Sequence, residues 1–437
     1  MEPFIVPSLY EKYVNSSQNI AVVDEWTLSL AMGSDSASEM ENHYKTFITE
    51  EDFSETAGPG LNWVRIPIGF WASDHFSFTF GRLHLGTLLR ILRDSIQWTR
   101  KYGIRIYLDL HALPESQTNH SGKIMGIANG QKTLAYLRIL VEFISQDQYK
   151  DIVPVLGIVN EILWDTIGQT SVQSFYYQAY ETLRQSTGIG SGAGPYIAIH
   201  EGFQGCGRFL SGADKLALDQ HPATIATNQS STVFGVTLGG EFSTAINDCC
   251  LCSQCSTWDN CAAYNATIIQ SLKQVTLTTM DALQSFFFRT WSIGNSSALN
   301  TSSGPLWHYK LGLQQGWIPS DPREAVGHCA SVLGSSQIFN GNYPATATGG
   351  TLWLLRKPLR MCSRLSLSSS FTGARMSLLT TYTAAGIFKT AARHLRLLER
   401  WKNSADTASA YVPIIGCSYP NAWDAVNASL PTATCTG

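Results

Sequence analysis

The sequence predicts an α/β protein built on a parallel sheet. Three observations lead there: short, nearly continuous apolar runs, stretches of helical apolar period between them, and regular alternation of the two over the first 330 residues. The runs are 62–68, 104–111, 152–159, 196–200, 215–221, 232–239 and 286–291. In 152–159, Ile-Val-Pro-Val-Leu-Gly-Ile-Val offers no polar face, as suits a strand covered on both sides. Between the runs, Leu85, Leu88, Leu89, Leu92 and Ile96 recur with helical spacing, and so do Leu134, Leu137, Val141 and Ile144. Helices are also predicted over 171–185, with Gly188 as a stop, and over 262–285. The number of repeats suits a (β/α)8 barrel of roughly 250 residues or more.

Composition narrows the function. At 437 residues, 44% of them hydrophobic, the chain supports a large core. Charged residues make up only 14%, and the formal net charge of −3 gives no electrostatic case for nucleic acid or an anionic membrane. No apolar run reaches the roughly 18 residues of a membrane span. Twelve Trp and seventeen Tyr offer faces that stack on sugar rings, although most aromatics fill cores. Sequons at Asn15, Asn119, Asn228, Asn265, Asn295, Asn300 and Asn427 point to secretion. The residues after Met1 carry no basic n-region and no apolar h-region. Either the protein is cytosolic or its true start is missing.

Three segments are expected. Residues 1–330 form the barrel. Residues 331–415 begin Gly/Ser/Thr-rich, and 356–402 are basic: Arg356, Lys357, Arg360, Arg364, Arg375, Lys389, Arg393, Arg396, Arg400 and Lys402 stand against Glu399 alone. A solvated segment or a gene-model artefact accounts for them better than a polyanion-binding tail. Residues 416–437, with Cys417 and Cys435, form a last Cys-bounded segment. Cys249, Cys250, Cys252, Cys255 and Cys261 suggest a disulfide-bearing loop rather than zinc, because Cys252-x-x-Cys255 has no second pair at regular spacing. Gly188–Gly194 is Gly-rich, but it follows a helix and precedes a strand, the wrong order for a phosphate loop.

The chemistry sits at the ends of the runs. Arg65 lies in 62–68; Asp109 and His111 close 104–111; Asn160 and Glu161 follow 152–159. His221 closes 215–221, Gly240 and Glu241 follow 232–239, and Trp291 closes 286–291. In a barrel those ends converge on one face, where active sites are built. Glu161 and Glu241 supply the carboxylate pair that glycoside hydrolysis requires, and a separation of about 5–5.5 Å would make the enzyme retaining. The acid needs a raised pKa, which burial and a neighbouring carboxylate can supply. Asn160 can bond a sugar 2-hydroxyl, Arg65 can hold the nucleophile ionised, and Trp291 can floor the sugar. The plain alternative is a structural ion pair of these glutamates with Arg65, and ordinary hydrogen-bonded histidines at His111 and His221.

Several motifs together resemble the fungal, basidiomycete-like glucan exo-1,3-β-glucosidases of glycoside hydrolase family 5. They are Gly60-Leu-Asn-Trp-Val-Arg-Ile-Pro-Ile-Gly-Phe-Trp-Ala72, Asp109-Leu-His111, Val159-Asn-Glu161, Ile199-His-Glu-Gly-Phe-Gln204, Leu218-Asp-Gln-His221, Gly240-Glu-Phe-Ser243 and the stretch 305–319. The resemblance implies a TIM barrel that releases glucose from non-reducing ends of β-1,3-glucan, as a secreted monomer without cofactor or metal. It implies Glu161 as acid/base, Glu241 as nucleophile, and Glu2, Arg65, His111, Asn119, Asn160, His221 and Trp291 as substrate-binding. The chain departs from the family in four places. Most of the first strand is absent, and Ala223 replaces an aromatic. The loop 114–122 is short, and Arg289 stands where Trp is common. The alternatives are a β-glucosidase or endo-glucanase on the same barrel, and a glucan-binding wall protein that has lost turnover.

Overall fold

The computed structural model of the chain describes residues 5–14, 21–22, 24–72, 81–118, 126–190, 193–203, 210, 213–221, 236–245, 258, 260–297, 300–302 and 304–333. Seven strands form one sheet: β1 (Trp63–Gly69), β2 (Arg105–Ala112), β3 (Val155–Gly157), β4 (Tyr196–His200), β5 (Leu216–Gln220), β6 (Thr237–Phe242) and β7 (Phe286–Phe288). They pair in chain order, every neighbour parallel. β7 returns to the side of β1, yet no ladder joins those two strands among the described residues. The result is a nearly closed barrel, in keeping with the predicted fold class.

Alternation along the strands sorts the side chains into two shells. Val64, Ile66 and Ile68 of β1 share the outer core with Ile106, Leu108 and Leu110 of β2, Leu156 of β3, Ile197 and Ile199 of β4, and Leu216 and Leu218 of β5. Helices cover that core: α5 (Gly81–Tyr102), α6 (Ile127–Ile144) and α8 (Gln169–Thr187), the last preceded by a short α7 (Trp164–Ile167). Leu92, Ile96, Leu137, Val141, Ile144, Val172, Ala179 and Leu183 face it at helical spacing. The opposite strand face fills the barrel. Tyr107, Val155, Ala198, Ala217 and Leu238 make one apolar layer at its floor. One pleat further along the same strands stand Asp109, Gly157, His200, Asp219 and Gly240, so the layer above is polar.

The sequence-based boundaries hold for β1, β2, β4 and β5. β3 is shorter than 152–159, although Ile106 N–H still donates to Ile152 O at 2.8 Å and Ile158 N–H to Ala198 O at 3.2 Å. β6 runs past the predicted end at Gly239 to Phe242, which places Glu241 within the strand. β7 stops at Phe288, so Trp291 lies beyond the sheet. The helix predicted over 262–285 is α9 (Ala266–Leu283), capped by the Asn265 side chain on Ile268 N–H. Four helices before β1 had not been predicted: α1 (Pro7–Tyr13), α2 (Glu25–Met32), α3 (Ser36–Thr46) and α4 (Glu50–Ala57). Nor had α10 (Tyr309–Gln315), α11 (His328–Leu333) or the small hairpin of β8 (Asn295–Ser296) and β9 (Thr301–Ser302). The expected segments 331–415 and 416–437 lie outside the described residues except for 331–333.

Ile106 is fully buried between sheet and helices. Ile106→Ala should lower stability by about 2–5 kcal/mol through loss of burial and the cavity left behind. Val326→Ala, at a side chain 60% exposed, should change it by less than about 0.5 kcal/mol. Urea denaturation of both variants checks the pair.

Candidate active site

The polar layer is organised by Arg65, which β1 carries into the barrel at 7% exposure. Its Nη1 donates to Glu241 Oε1. Its Nη2 donates to Asp109 Oδ2 at 2.7 Å and to Asn160 Oδ1 at 2.8 Å. The guanidinium also lies over the Tyr107 ring, 5.3 Å from the centroid. One cation thus ties β1 to β2, β6 and the loop after β3. Burial opposes its charge, but Asp109 and Glu241 outweigh that and hold Arg65 protonated.

Glu241 is held on both sides. Burial pushes its carboxyl up, while Arg65, His221 and Arg289 pull it well below the usual carboxylate range. Arg289 Nε lies 3.3 Å from Glu241 Oε2, so the residue at the family's tryptophan position is a second cation on this glutamate. His111 sits on the other side of Asp109, its Nδ1 2.8 Å from Oδ2.

Glu161 has a different partner. Its Oε1 lies 2.8 Å from His221 Nδ1, and its backbone adopts φ 45°, an unusual conformation for a residue with a side chain. The ion-pair alternative therefore applies to Glu241 and not to Glu161. A raised pKa was expected for Glu161, and the structure gives the reverse. Burial and Glu241 raise it, but the hydrogen bond and charge of His221 prevail and lower it. The proton of this pair rests on the imidazole. His221 is 5% exposed; burial disfavours its charge, yet Asp219, Glu161 and Glu241 raise its pKa to about 10. Glu161, His200 and His221 bring ligand-type atoms within 4.8 Å of one another. Both imidazoles already engage protein groups through Nδ1, while their Nε2 atoms have no hydrogen-bond partner among the described residues. His221 faces carboxylates through both nitrogens, and His200 Nδ1 already accepts from Gly202 N–H at 2.9 Å.

Two buried aspartates support the site from below, and both need a glycine opposite. A Cβ on Gly157 would stand 2.6 Å from Asp109 Oδ1, and one on Gly240 would stand 1.8 Å from Asp219 Oδ1. Asp219 accepts from Tyr107 Oη at 2.6 Å. Gln117, 4% exposed, ties the short loop after β2 to this barrel end: its Nε2 donates to His111 O at 2.7 Å and to Asn160 O at 2.9 Å. Trp291 is 5% exposed, with Nε1 donating to Asp52 Oδ1 of α4 at 2.9 Å and its ring stacked on Tyr309. It lines a cavity between β1 and β7 together with Trp63, Arg65, Glu241, Phe288 and Arg289.

The structure therefore gathers Arg65, His111, Asn160, Glu161, His221, Glu241 and Trp291 at one barrel end. Glu2, Asn119, Ala223 and the cysteines 249–255 lie outside the described residues. Cys261 carries no disulfide, and neither does Cys329. Sequence reading missed Asp52, Gln117 and Glu201, and gave Asp219 no role. Glu201 follows β4, is 8% exposed, and accepts from Gln220 Nε2 at 2.9 Å; burial raises its pKa. The signal for Glu201 and Asp219 was present at the strand ends, where Glu201 directly follows His200 and Asp219 stands two residues before His221.

No family model matches the chain. It is similar to the probable glucan 1,3-β-glucosidase D of Aspergillus fumigatus, 29% identical over 411 residues, covering 76% of this chain and 47% of that protein. It is also similar to the glucan 1,3-β-glucosidase D of Emericella nidulans, 28% identical over 421 residues, with 79% and 48% covered. The chain spans about half the length of these relatives. Among solved structures it superposes on the rutinosidase of Aspergillus niger with a TM-score of 0.52 at 17% identity, covering 73% of this chain and 94% of that one. It superposes equally on AoRut, with 71% and 91% covered at 17% identity. The relatives' name agrees with the resemblance carried by the sequence motifs, and the solved structures share the barrel fold.

Arg65→Gln would leave Asp109 and Glu241 buried without their counter-charge. Urea denaturation should show a loss of about 3–5 kcal/mol. Gly240→Ala, which drives Asp219 from its place, should lose about 1–3 kcal/mol by overpacking.

Proposed function

We propose that the chain is a retaining β-1,3-glucan hydrolase that releases glucose from non-reducing ends. The observation that carries this reading is the unequal treatment of two glutamates at one barrel end. Glu241 is gripped by cations and stays ionised, as a nucleophile must. Glu161 shares a proton with His221, as suits a group that gives and takes one. The similarity to glucan 1,3-β-glucosidases supports the choice of substrate.

In the first half-reaction, Glu241 attacks the anomeric carbon while Glu161 protonates the leaving oxygen, giving a covalent glycosyl-enzyme. In the second, Glu161 takes a proton from water, whose oxygen displaces Glu241 and restores the configuration. Asn160, fixed by Arg65 and by its carbonyl on Gln117, would bond the sugar 2-hydroxyl. His111 and Trp291 complete the sugar site. Glu2 and Asn119 remain part of the proposed set from the motifs alone. Exposure of the sequon residues Asn265, Asn295 and Asn300 supports a secreted glycoprotein. No helix among the described residues is long and apolar enough to cross a membrane.

Glu241→Gln and Glu161→Gln should each lower glucose release from laminarin by about 10²–10⁴-fold, and ¹H NMR of wild-type turnover should show β-glucose first. A ladder of oligosaccharides would replace exo by endo action. Laminarin binding with no glucose from the wild type would favour the wall-protein alternative. The pH profile has a definite sign. Glu241 is ionised from acidic pH upward, whereas His221 keeps its proton until pH rises toward about 10. The alkaline limb of kcat/KM should therefore lie well above the ordinary histidine value of about 6.5.

A further inference from the structure

We propose that Asp219 is a positioning residue that acts through His221 to decide which member of the Glu161–His221 pair carries the proton. The proposal rests on the reading of Glu161 as acid/base. The geometry is a line across three strands. Tyr107 Oη of β2 donates to Asp219 Oδ2 at 2.6 Å; Asp219 Oδ1 of β5 lies 3.5 Å from His221 Nε2; His221 Nδ1 lies 2.8 Å from Glu161 Oε1 beyond β3. Asp219 is 2% exposed, and the missing side chain at Gly240 leaves the room it occupies. It is absent from the lining of the cavity beside Glu241, and it meets the site through His221 at 3.5 Å and more distantly through Arg65 Nη2 at 4.0 Å.

Asp219 Oδ1 is 3.5 Å from Nε2, a charge contact longer than a hydrogen bond, and its negative charge favours a hydrogen on that nitrogen in both charge states of the ring. The proton that moves is then the one on Nδ1. When the glycosidic oxygen reaches Glu161, the Nδ1 proton passes to Oε1, leaving neutral His221 with its Nε2 hydrogen on the Asp219 side. Glu161 gives that proton to the departing oxygen. In the second half-reaction Glu161 takes a proton from water, which returns to Nδ1. No proton is gained or lost over the cycle except through leaving group and water.

The other charges around His221 do not replace Asp219. Glu161, Glu241 and Glu201 also favour its protonation. Glu241 is shared with Arg65 and Arg289. From β4, His200 stacks edge-on with ring centroids 4.4 Å apart and opposes the charge. Burial and the His221 charge drive His200 down to about 4, so it stays neutral.

The test is ¹⁵N-histidine NMR of the whole chain, with His221→Gln assigning the signal. In the wild type the His221 imidazolium should persist above pH 8. In Asp219→Asn its titration should fall by more than one pH unit, and the alkaline limb of kcat/KM on laminarin should move by the same amount. Tyr107→Phe removes the hydrogen bond to Asp219 and keeps its charge, so His221 should remain protonated above pH 8. An Asp219→Asn titration equal to wild type would overturn the proposal, and so would an equal fall in Tyr107→Phe. Wild-type titration near 6.5 would do so without any variant, even if Asp219→Asn failed to fold. A shifted titration in a protein that releases no sugar would leave the coupling standing and remove the proposed function instead.

Discussion

A guanidinium buried inside a barrel is the constraint on which this structure turns. Arg65 cannot be deprotonated, so its charge must be met within the protein. Two strands and one loop meet it with Asp109, Glu241 and Asn160. Those partners come from β2, β6 and the segment after β3, so the cation fixes the relative height of elements far apart in sequence. The aspartates in turn need space, and Gly157 and Gly240 provide it. Buried ion pairs are weak evidence of stabilisation, because desolvation offsets much of the attraction. Such a layer persists where the chemistry requires it. An apolar layer would fill the same volume, as Tyr107, Val155, Ala198, Ala217 and Leu238 do one pleat below.

The two glutamates show how one layer produces two behaviours. Glu241 is largely buried and Glu161 partly so, and burial alone would raise both pKa values. Their neighbours separate them. Glu241 meets permanent cations, Arg65 and Arg289. Glu161 meets a histidine that can itself lose a proton. A permanent cation keeps a carboxylate ionised through a reaction; a titratable one permits exchange. The same logic explains why the expected raised pKa at Glu161 is not found in the free protein. On the proposed reading of Glu161, the proton for acid catalysis is stored one hydrogen bond away, on His221.

The sheet was legible because its outer face is continuously apolar. Alternation hid the inner face, where Asp109, Asp219 and His200 look like interruptions of an apolar run. The predicted run ended at Gly239, and the strand instead continues through Gly240 to Phe242, the missing side chains of the two glycines making room for Leu283 and Asp219. Helices α1 to α4 are short and depend on caps and tertiary contacts more than on period: Asp24 caps α2, and Thr49 and Asp52 form the box of α4. Asp52 then reaches Trp291 across 239 residues of sequence, a contact no local pattern contains. At the site, strand-end glutamates and histidines were readable from position alone. Gln117 was not, because its importance lies in two backbone carbonyls it joins.

The distribution of charge also bears on the proposed reaction. The chain is poor in charged residues overall, yet its barrel end concentrates them. A neutral glucan offers nothing for long-range steering, so surface charge would not speed its capture. The transition state is different: an oxocarbenium ion develops positive charge between the two glutamates. Those glutamates belong to one linked cluster of charges, Asp109, Asp219, Glu161 and Glu241 against Arg65, His221 and Arg289. When the pair's proton leaves His221 through Glu161 for the departing oxygen, one of those cations disappears as the substrate's charge appears. The local field then becomes more negative at the moment a positive centre forms. The groups providing it are already fixed by Arg65 and by glycine-lined space, so little reorganisation is required as the bond breaks.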